Sequence, residues 1–126
     1  MIVLCDTDIV IEIFKNKFHI KEECREIGIK NLAISAITTG ELFRGAFDKR
    51  GFEKIKIHLQ FYHVYSISEQ ITSTYIDLMA QYSLSHRCHV DDMLIAATAI
   101  VNDCELYTLN KKDFVFIKGL KLHTAK

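Results

Sequence analysis

The chain has 126 residues, 49% apolar and 25% charged, with 16 Lys and Arg against 16 Asp and Glu. That length fits a single domain over residues 1–126 with a proper core, and the composition excludes intrinsic disorder, which needs low hydrophobicity and high net charge. Zero net charge also excludes a protein that coats nucleic acid by bulk basicity, but not one with a small nucleic-acid site. The opening Ile2-Val3-Leu4-Cys5 is a short apolar run, as in a strand covered on both faces. From Asp8 the pattern turns helical through Ile9, Val10, Ile13 and Phe14, ending near Lys15-Asn16, and residues 19–27 form a second short helix closed by Gly28. Leu32-Ala33-Ile34 reads as another buried strand, after which Ser35 offers an N-cap to a helix carrying Ile37, Leu42 and Phe43.

After Gly51, the residues Phe52, Ile55, Leu59 and Tyr62 make one helical stripe. Val64-Tyr65 reads as a strand, and Ile71, Tyr75, Leu78 and Tyr82 repeat the stripe through 68–84. Residues 91–102 are apolar nearly all round, which predicts a buried helix whose alanines allow close approach. Strands at Glu105–Thr108 and around Leu120–His123 complete the chain. Strands alternating with helices imply a mostly parallel sheet and an α/β fold. Met1 leads into the first strand with no basic n-region, and no apolar stretch is long enough to span a membrane, so a cytoplasmic, membrane-free protein is expected. Cys5, Cys24, Cys88 and Cys104 follow no metal or disulfide spacing, which suits free thiols.

In an open α/β sheet the functional groups gather where strands end at their carboxyl edge. Asp6 and Asp8 follow the first strand, Glu41 lies in the helix after the second, Asp91 and Asp92 open the buried helix, and Asp113 follows the Glu105–Thr108 strand. Glu22, Glu23, Glu26, Glu53 and Glu69 are expected on solvated helix faces. Asp8 and Asp91 could serve only as helix caps. Asp6 is harder to explain that way, because it ends a buried strand where an unpaired carboxylate is costly. Acids converging on one edge repel one another, and Mg²⁺ or Mn²⁺ resolves that conflict, since hard cations take carboxylate ligands. Such a site suits phosphoester hydrolysis.

Four segments resemble the PIN-domain nucleases, in particular the VapC-type toxins of toxin–antitoxin pairs. Leu4-Cys5-Asp6-Thr7-Asp8 is similar to the family's opening motif, and Ile34-Ser35-Ala36-Ile37-Thr38-Thr39-Gly40-Glu41-Leu42 to its second. Asp92-Met93-Leu94-Ile95-Ala96-Ala97-Thr98-Ala99 resembles its buried helix, and Leu106-Tyr107-Thr108-Leu109-Asn110-Lys111-Lys112-Asp113-Phe114 its last motif. The order and spacing hold from residue 2 to about residue 120. The resemblance implies a three-layer α/β/α sandwich and a Mg²⁺- or Mn²⁺-dependent endoribonuclease, homodimeric and restrained by a cognate VapB-like antitoxin. Carried over by position, Asp6, Glu41 and Asp92 are the central metal-binding acids and Asp113 the fourth, with Asn110 as its alternative. Asp92 takes the motif position beside Asp91, which stays a further candidate ligand. Asp8 stands where the family commonly has Asn, so it either adds charge to the metal site or caps the helix. Thr7 and Thr108 match hydroxyl positions that orient ligands or water. Lys15, Lys17, Arg44, Lys111 and Lys112 lie near the acidic motifs and are candidate phosphate contacts on an RNA substrate.

Other readings compete. Asp6-Thr7-Asp8-Ile9-Val10 also fits the start of haloacid-dehalogenase-type phosphatases, in which the first Asp is phosphorylated. That reading leaves Glu41 and Asp113 unexplained. A non-catalytic α/β module, either a receiver-like domain or an inactive partner-binding relic, would not need the acids to converge. His86, Cys88 and His89 crowd together without the spacing of a structural zinc site, so a polar loop is expected there.

Overall fold

A computed structural model describes residues 1–125. Five strands, β1 (Val3–Cys5), β2 (Leu32–Ser35), β3 (His63–Tyr65), β4 (Glu105–Tyr107) and β5 (Lys121–Leu122), form one sheet in the order β3-β2-β1-β4-β5. Every ladder is parallel, so the expected mostly parallel sheet is wholly so. The helices are α1 (Thr7–Phe14), α2 (Phe18–Ile27), α3 (Ala36–Arg44), α4 (Lys49–His58), α5 (Glu69–Tyr82) and α6 (Val90–Val101).

The two-residue period of β1 divides the core. Val3 and Cys5 face one layer with Ile9, Val10, Cys24, Leu42 and Tyr62, drawn from α1, α2, α3 and the end of the α4 region. Leu4 faces the other layer with Ile71, Leu78, Met93, Ile95 and Ala96, drawn from α5 and α6. The result is the three-layer arrangement expected. The small residues Ala96, Ala97 and Ala99 are fully buried, which lets α6 lie close against the sheet and α5. A larger side chain at Ala97 would overpack that contact by about 1–3 kcal/mol.

Short polar caps set the helix starts. Ser35 Oγ accepts from Ile37 N at 3.2 Å, Asp48 Oδ1 from Gly51 N at 2.7 Å and Ser68 Oγ from Ile71 N at 3.1 Å. The Asp48 cap starts α4 at Lys49, so Gly51 lies inside the helix and does not precede it. α4 stops at His58, and a tight turn over 59–61 carries Leu59 to Tyr62. Gly28 ends α2 at φ 95°, a left-handed conformation that favours glycine. β4 ends one residue early, at Tyr107, which releases Thr108 to bond across the sheet edge. No described helix is long and apolar enough to cross a membrane.

Candidate active site

The chain reverses its direction of sheet growth at β1, whose neighbours are β2 and β4. In such sheets the crevice at the carboxyl edge of that switch point is where ligands sit. Asp6 leaves β1 there, and its N–H donates to the Tyr107 carbonyl at 2.9 Å, tying the two strand ends together. Its carboxylate is 6% exposed, accepts from Thr7 N at 2.8 Å through Oδ1, and accepts from Thr108 Oγ1 at 2.8 Å through Oδ2. Asp6 is therefore itself the N-cap of α1. The capping role considered for Asp8 is taken two residues earlier, because the chain turns into the helix immediately after the strand.

Asp8 instead reaches across to the loop after β4. Its Oδ2 accepts from Leu109 N at 3.0 Å and from Asn110 Nδ2 at 3.1 Å, while its Oδ1 is buried with no hydrogen-bond partner among the described residues. Thr108 Oγ1 lies 3.5 Å from Asp8 but has one proton, already given to Asp6 at the shorter distance. Asn110 N donates to that same hydroxyl at 3.1 Å, so Thr108 is held from both sides.

Glu41 projects from α3, two turns after Ser35. Thr7 Oγ1 donates to Glu41 Oε1 at 2.5 Å and lies 3.0 Å from Thr38 Oγ1. With its proton spent on Glu41, Thr7 accepts from Thr38, which is fully buried. Thr38, part of the second motif but not a candidate site residue in the sequence, stands three residues before Glu41 on the same helical face. The α6 acids complete the edge. Asp91 Oδ1 accepts from Asp92 N at 3.1 Å, and the residue at the start of the helix, His89, gives no side-chain cap. Asp91 is thus a first-turn acid and does not hold the N-cap position.

The electrostatics show how closely these acids press on one another. Burial pushes Asp6 upward, with Asp91 and Asp113 adding to the effect against the bonds from Thr108 and Thr7. Burial, then the charge of Asp6, pushes Asp8 up to about 6 and Asp92 up to about 6. Burial raises Glu41 to about 7, helped by a hydrogen bond with Asp91, and the same bond lowers Asp91. Asp113, in the turn over 111–113, stands near enough to raise both Asp6 and Asp92. The charge of His89 adds to the lowering of Asp91 and works against the raising of Asp92.

All of Asp6, Asp8, Glu41, Asp91, Asp92 and Asp113 thus reach one edge, with Thr7, Thr108 and Asn110 bonded among them. The donor set fits a hard divalent cation: it is all oxygen, its members repel, and one buried carboxylate oxygen has no partner. Among the described residues no three carboxylate, imidazole or thiol groups close into a ligating cluster. Of the basic candidates, Lys15 pairs with Glu12 at 3.7 Å and borders a groove with Glu41, and Lys111 lines a second groove with Thr108 and Leu109. The side chains of Lys17, Arg44 and Lys112 are exposed and bond to none of the acids.

Two other expectations resolve here. Glu23 is not solvated. It is 7% exposed and bonds His123 Nε2 at 2.6 Å, while His123 Nδ1 meets Glu105 at 2.9 Å. The loop around His86 is polar as expected, with His86 stacked on Phe116 at 3.9 Å between ring centres and bonded to Ser85 at 2.8 Å.

Residues 3–118 match the model of the PIN domain. The chain belongs to the PIN-domain family. Ribonuclease VapC1 of Methanocaldococcus jannaschii is 32% identical to this PIN domain over 124 residues, covering 96% of this chain and 86% of that protein. Among solved structures, a chain of VapBC2 from Rickettsia felis, bound to a DNA fragment from their promoter, superposes with a TM-score of 0.89 at 27% identity over 98% of each chain. A toxin–antitoxin complex from Klebsiella pneumoniae gives a TM-score of 0.82 at 29% identity, again over 98% of each chain. The family match across the acidic edge gives no support to the phosphatase and receiver readings.

Proposed function

We propose that this PIN domain is a Mg²⁺- or Mn²⁺-dependent endoribonuclease toxin restrained by a VapB-like antitoxin. The observation that carries this reading is the convergence of buried and half-buried, mutually repelling carboxylates at the switch point, with Asp8 Oδ1 left without a partner among the described residues. Asp6, Glu41 and Asp92 would hold the cation, with Asp113 as the fourth acid and Asp8 and Asp91 adding charge. When bound, such a cation neutralises charge on the phosphate and acidifies the attacking water. Thr108 and Thr7 fix the rotamers of Asp6 and Glu41 through the bonds described, so the acids meet the ion pre-oriented. Asn110 does the same for Asp8. Lys15, Lys17, Arg44, Lys111 and Lys112 flank the edge and would hold RNA phosphates, and unpaired bases would be read by the surrounding loops.

The curated relative is a ribonuclease and the structural relatives are toxin–antitoxin assemblies, which supports both halves of the reading. A groove of about 470 Å³ beside Glu41, walled by Ile11, Phe14, Leu42, Phe47 and Ile55, offers an antitoxin segment an apolar seat next to the acids. Pairing of two copies belongs to the same proposal, supported by the exposed apolar residues Ile76, Leu84 and Val90 on the α5–α6 side.

The test is incubation of the purified protein with total RNA, followed by sequencing of the new RNA ends. Discrete internal cuts are expected with Mg²⁺ or Mn²⁺, none with a chelator, and none from Asp6→Asn. Cleavage that survives both controls, or a phosphorylated Asp6 without cleavage, would overturn the proposal.

A further inference from the structure

The chain is neutral overall, yet its charge is not spread evenly. Residues 44–56, from the end of α3 through α4, carry Arg44, Lys49, Arg50, Lys54 and Lys56 against Asp48 and Glu53, a surplus of three positive charges. All five cations are exposed, and among the described residues none of them makes an ion pair. Aromatic rings interleave with them. Phe43 of α3 and Phe52 of α4 stack at 4.6 Å between ring centres with 28° between their planes, bracing the corner where the two helices meet. Basic side chains interleaved with aromatics are the footprint of a surface for single-stranded nucleic acid.

Phe47 stands in the loop of that corner. The backbone around it is tied down: Gly45 N donates to the Glu41 carbonyl at 3.2 Å, and Asp48 Oδ1 accepts from Gly51 N at 2.7 Å. The Phe47 ring is 102% exposed, so folding gains nothing from burying it. It lines the groove of about 470 Å³ whose walls also include Glu41, Lys15, Lys54, Ile11, Leu42 and Ile55. Arg50, four residues before Lys54, lies on the same side of α4. Lys15 is shared with Glu12, which leaves Lys54 and Arg50 as the cations free to meet an anion there. An apolar groove that joins an aromatic ring, unpaired cations and a candidate metal ligand matches the parts of a nucleotide, a flat base and its phosphates.

We propose that the α3–α4 corner is the seat of single-stranded RNA: an unpaired base stacks on Phe47 in the groove, Arg50 and Lys54 hold its flanking phosphates, and the strand continues past Glu41 to the acids. The inference rests on the nuclease reading and adds to it where the substrate is gripped and by which part of the nucleotide. The antitoxin segment assigned to the same groove would displace the base, so the two exclude each other.

The chain has no tryptophan, so Phe47→Trp places a single fluorophore at the groove. The full-length variant is titrated, in chelator so that nothing is cut, with a short oligoadenylate and with an abasic ribose-phosphate oligomer of the same length. Oligoadenylate should quench the indole, and the abasic oligomer should leave it unchanged. Phe47→Ala should bind oligoadenylate about 5- to 150-fold more weakly than the wild type, and Lys54→Gln should flatten the slope of log affinity against log salt by about 0.7. With Mg²⁺ present, Phe47→Ala should raise the KM for RNA cleavage and leave kcat in place. The proposal is overturned if the indole is not quenched, if the abasic oligomer quenches it equally, or if Phe47→Ala binds as tightly as the wild type. Failure of the nuclease reading shows separately, as quenching without cleavage by the wild-type protein in Mg²⁺ or Mn²⁺, an outcome that would support the RNA seat and remove the nuclease.

Discussion

Two places in this molecule bury carboxylates, and they do so in opposite ways. At Glu23–His123–Glu105 a single imidazole stands between two acids, with Nε2 at 2.6 Å from one and Nδ1 at 2.9 Å from the other. At the carboxyl edge, Asp6, Asp8, Glu41 and Asp92 make no ion pair among the described residues, and their bonds come from hydroxyls, amides and backbone N–H groups. The first arrangement completes itself and pins the end of the chain to α2 and β4. The second is left short of positive charge, and its members hold protons at pH values where carboxylates ordinarily do not. Burial of an acid is thus no sign of function by itself. What marks the edge is burial without a cation.

Single substitutions can break that contrast, the largest effect being at the edge. Asp92→Asn removes a carboxylate that burial, and then its acidic neighbours, push up to about 6. RNA cleavage should fall beyond the ~10–100-fold typical of losing an outer-shell partner, while the melting temperature of the metal-free protein at pH 7.5 should hold or rise as repulsion is relieved. A melting temperature that drops along with activity would mean that Asp92 is structural. His123→Ala should do the reverse. It removes the imidazole that bonds both Glu23 and Glu105 and should cost about 1–3 kcal/mol in urea unfolding, with the cleavage rate of the folded fraction unchanged.

The smallest expected effect is a pH slope. In the folded chain Asp8 and Asp92 titrate near 6 and Glu41 near 7, against ordinary values of 3.8 and 4.5. The native state therefore keeps protons that the unfolded state releases, and these groups favour folding most at low pH. Their contribution declines as pH rises from about 4 to about 7 and is flat above that. Thermal melts of the metal-free protein should show this decline, and added Mn²⁺ should raise stability more at pH 7.5 than at pH 5, where protons compete for the same oxygens. A Mn²⁺ effect equal at both pH values would contradict a carboxylate site.

The acids of the edge were legible in the sequence because local chemistry betrays them. Asp6 ends a buried apolar run, Asp92 opens an all-apolar helix, and Glu41 follows a Ser-capped turn, so each stands where a carboxylate needs a reason. The parallel sheet followed from the alternation of apolar runs and stripes. What escaped was set by contacts distant in sequence. Glu23 looks like any helix-surface acid until the chain returns a hundred residues later with His123. Asp8 looks like a cap, yet its bonds to Leu109 and Asn110 exist only because β4 lies beside β1. The displaced caps have a plainer cause: Asp6 closes the strand and starts the helix at once, leaving Asp8 free to face the neighbouring loop.

The most direct test is Mn²⁺ binding, read as loss of the free-ion paramagnetic resonance signal at pH 7.5 without RNA. The wild-type protein and His123→Ala should both take up Mn²⁺, and Asp6→Asn should bind it at least about tenfold more weakly. Uptake by Asp6→Asn equal to wild type, or no uptake by the wild type, would contradict a cation site at the carboxyl edge.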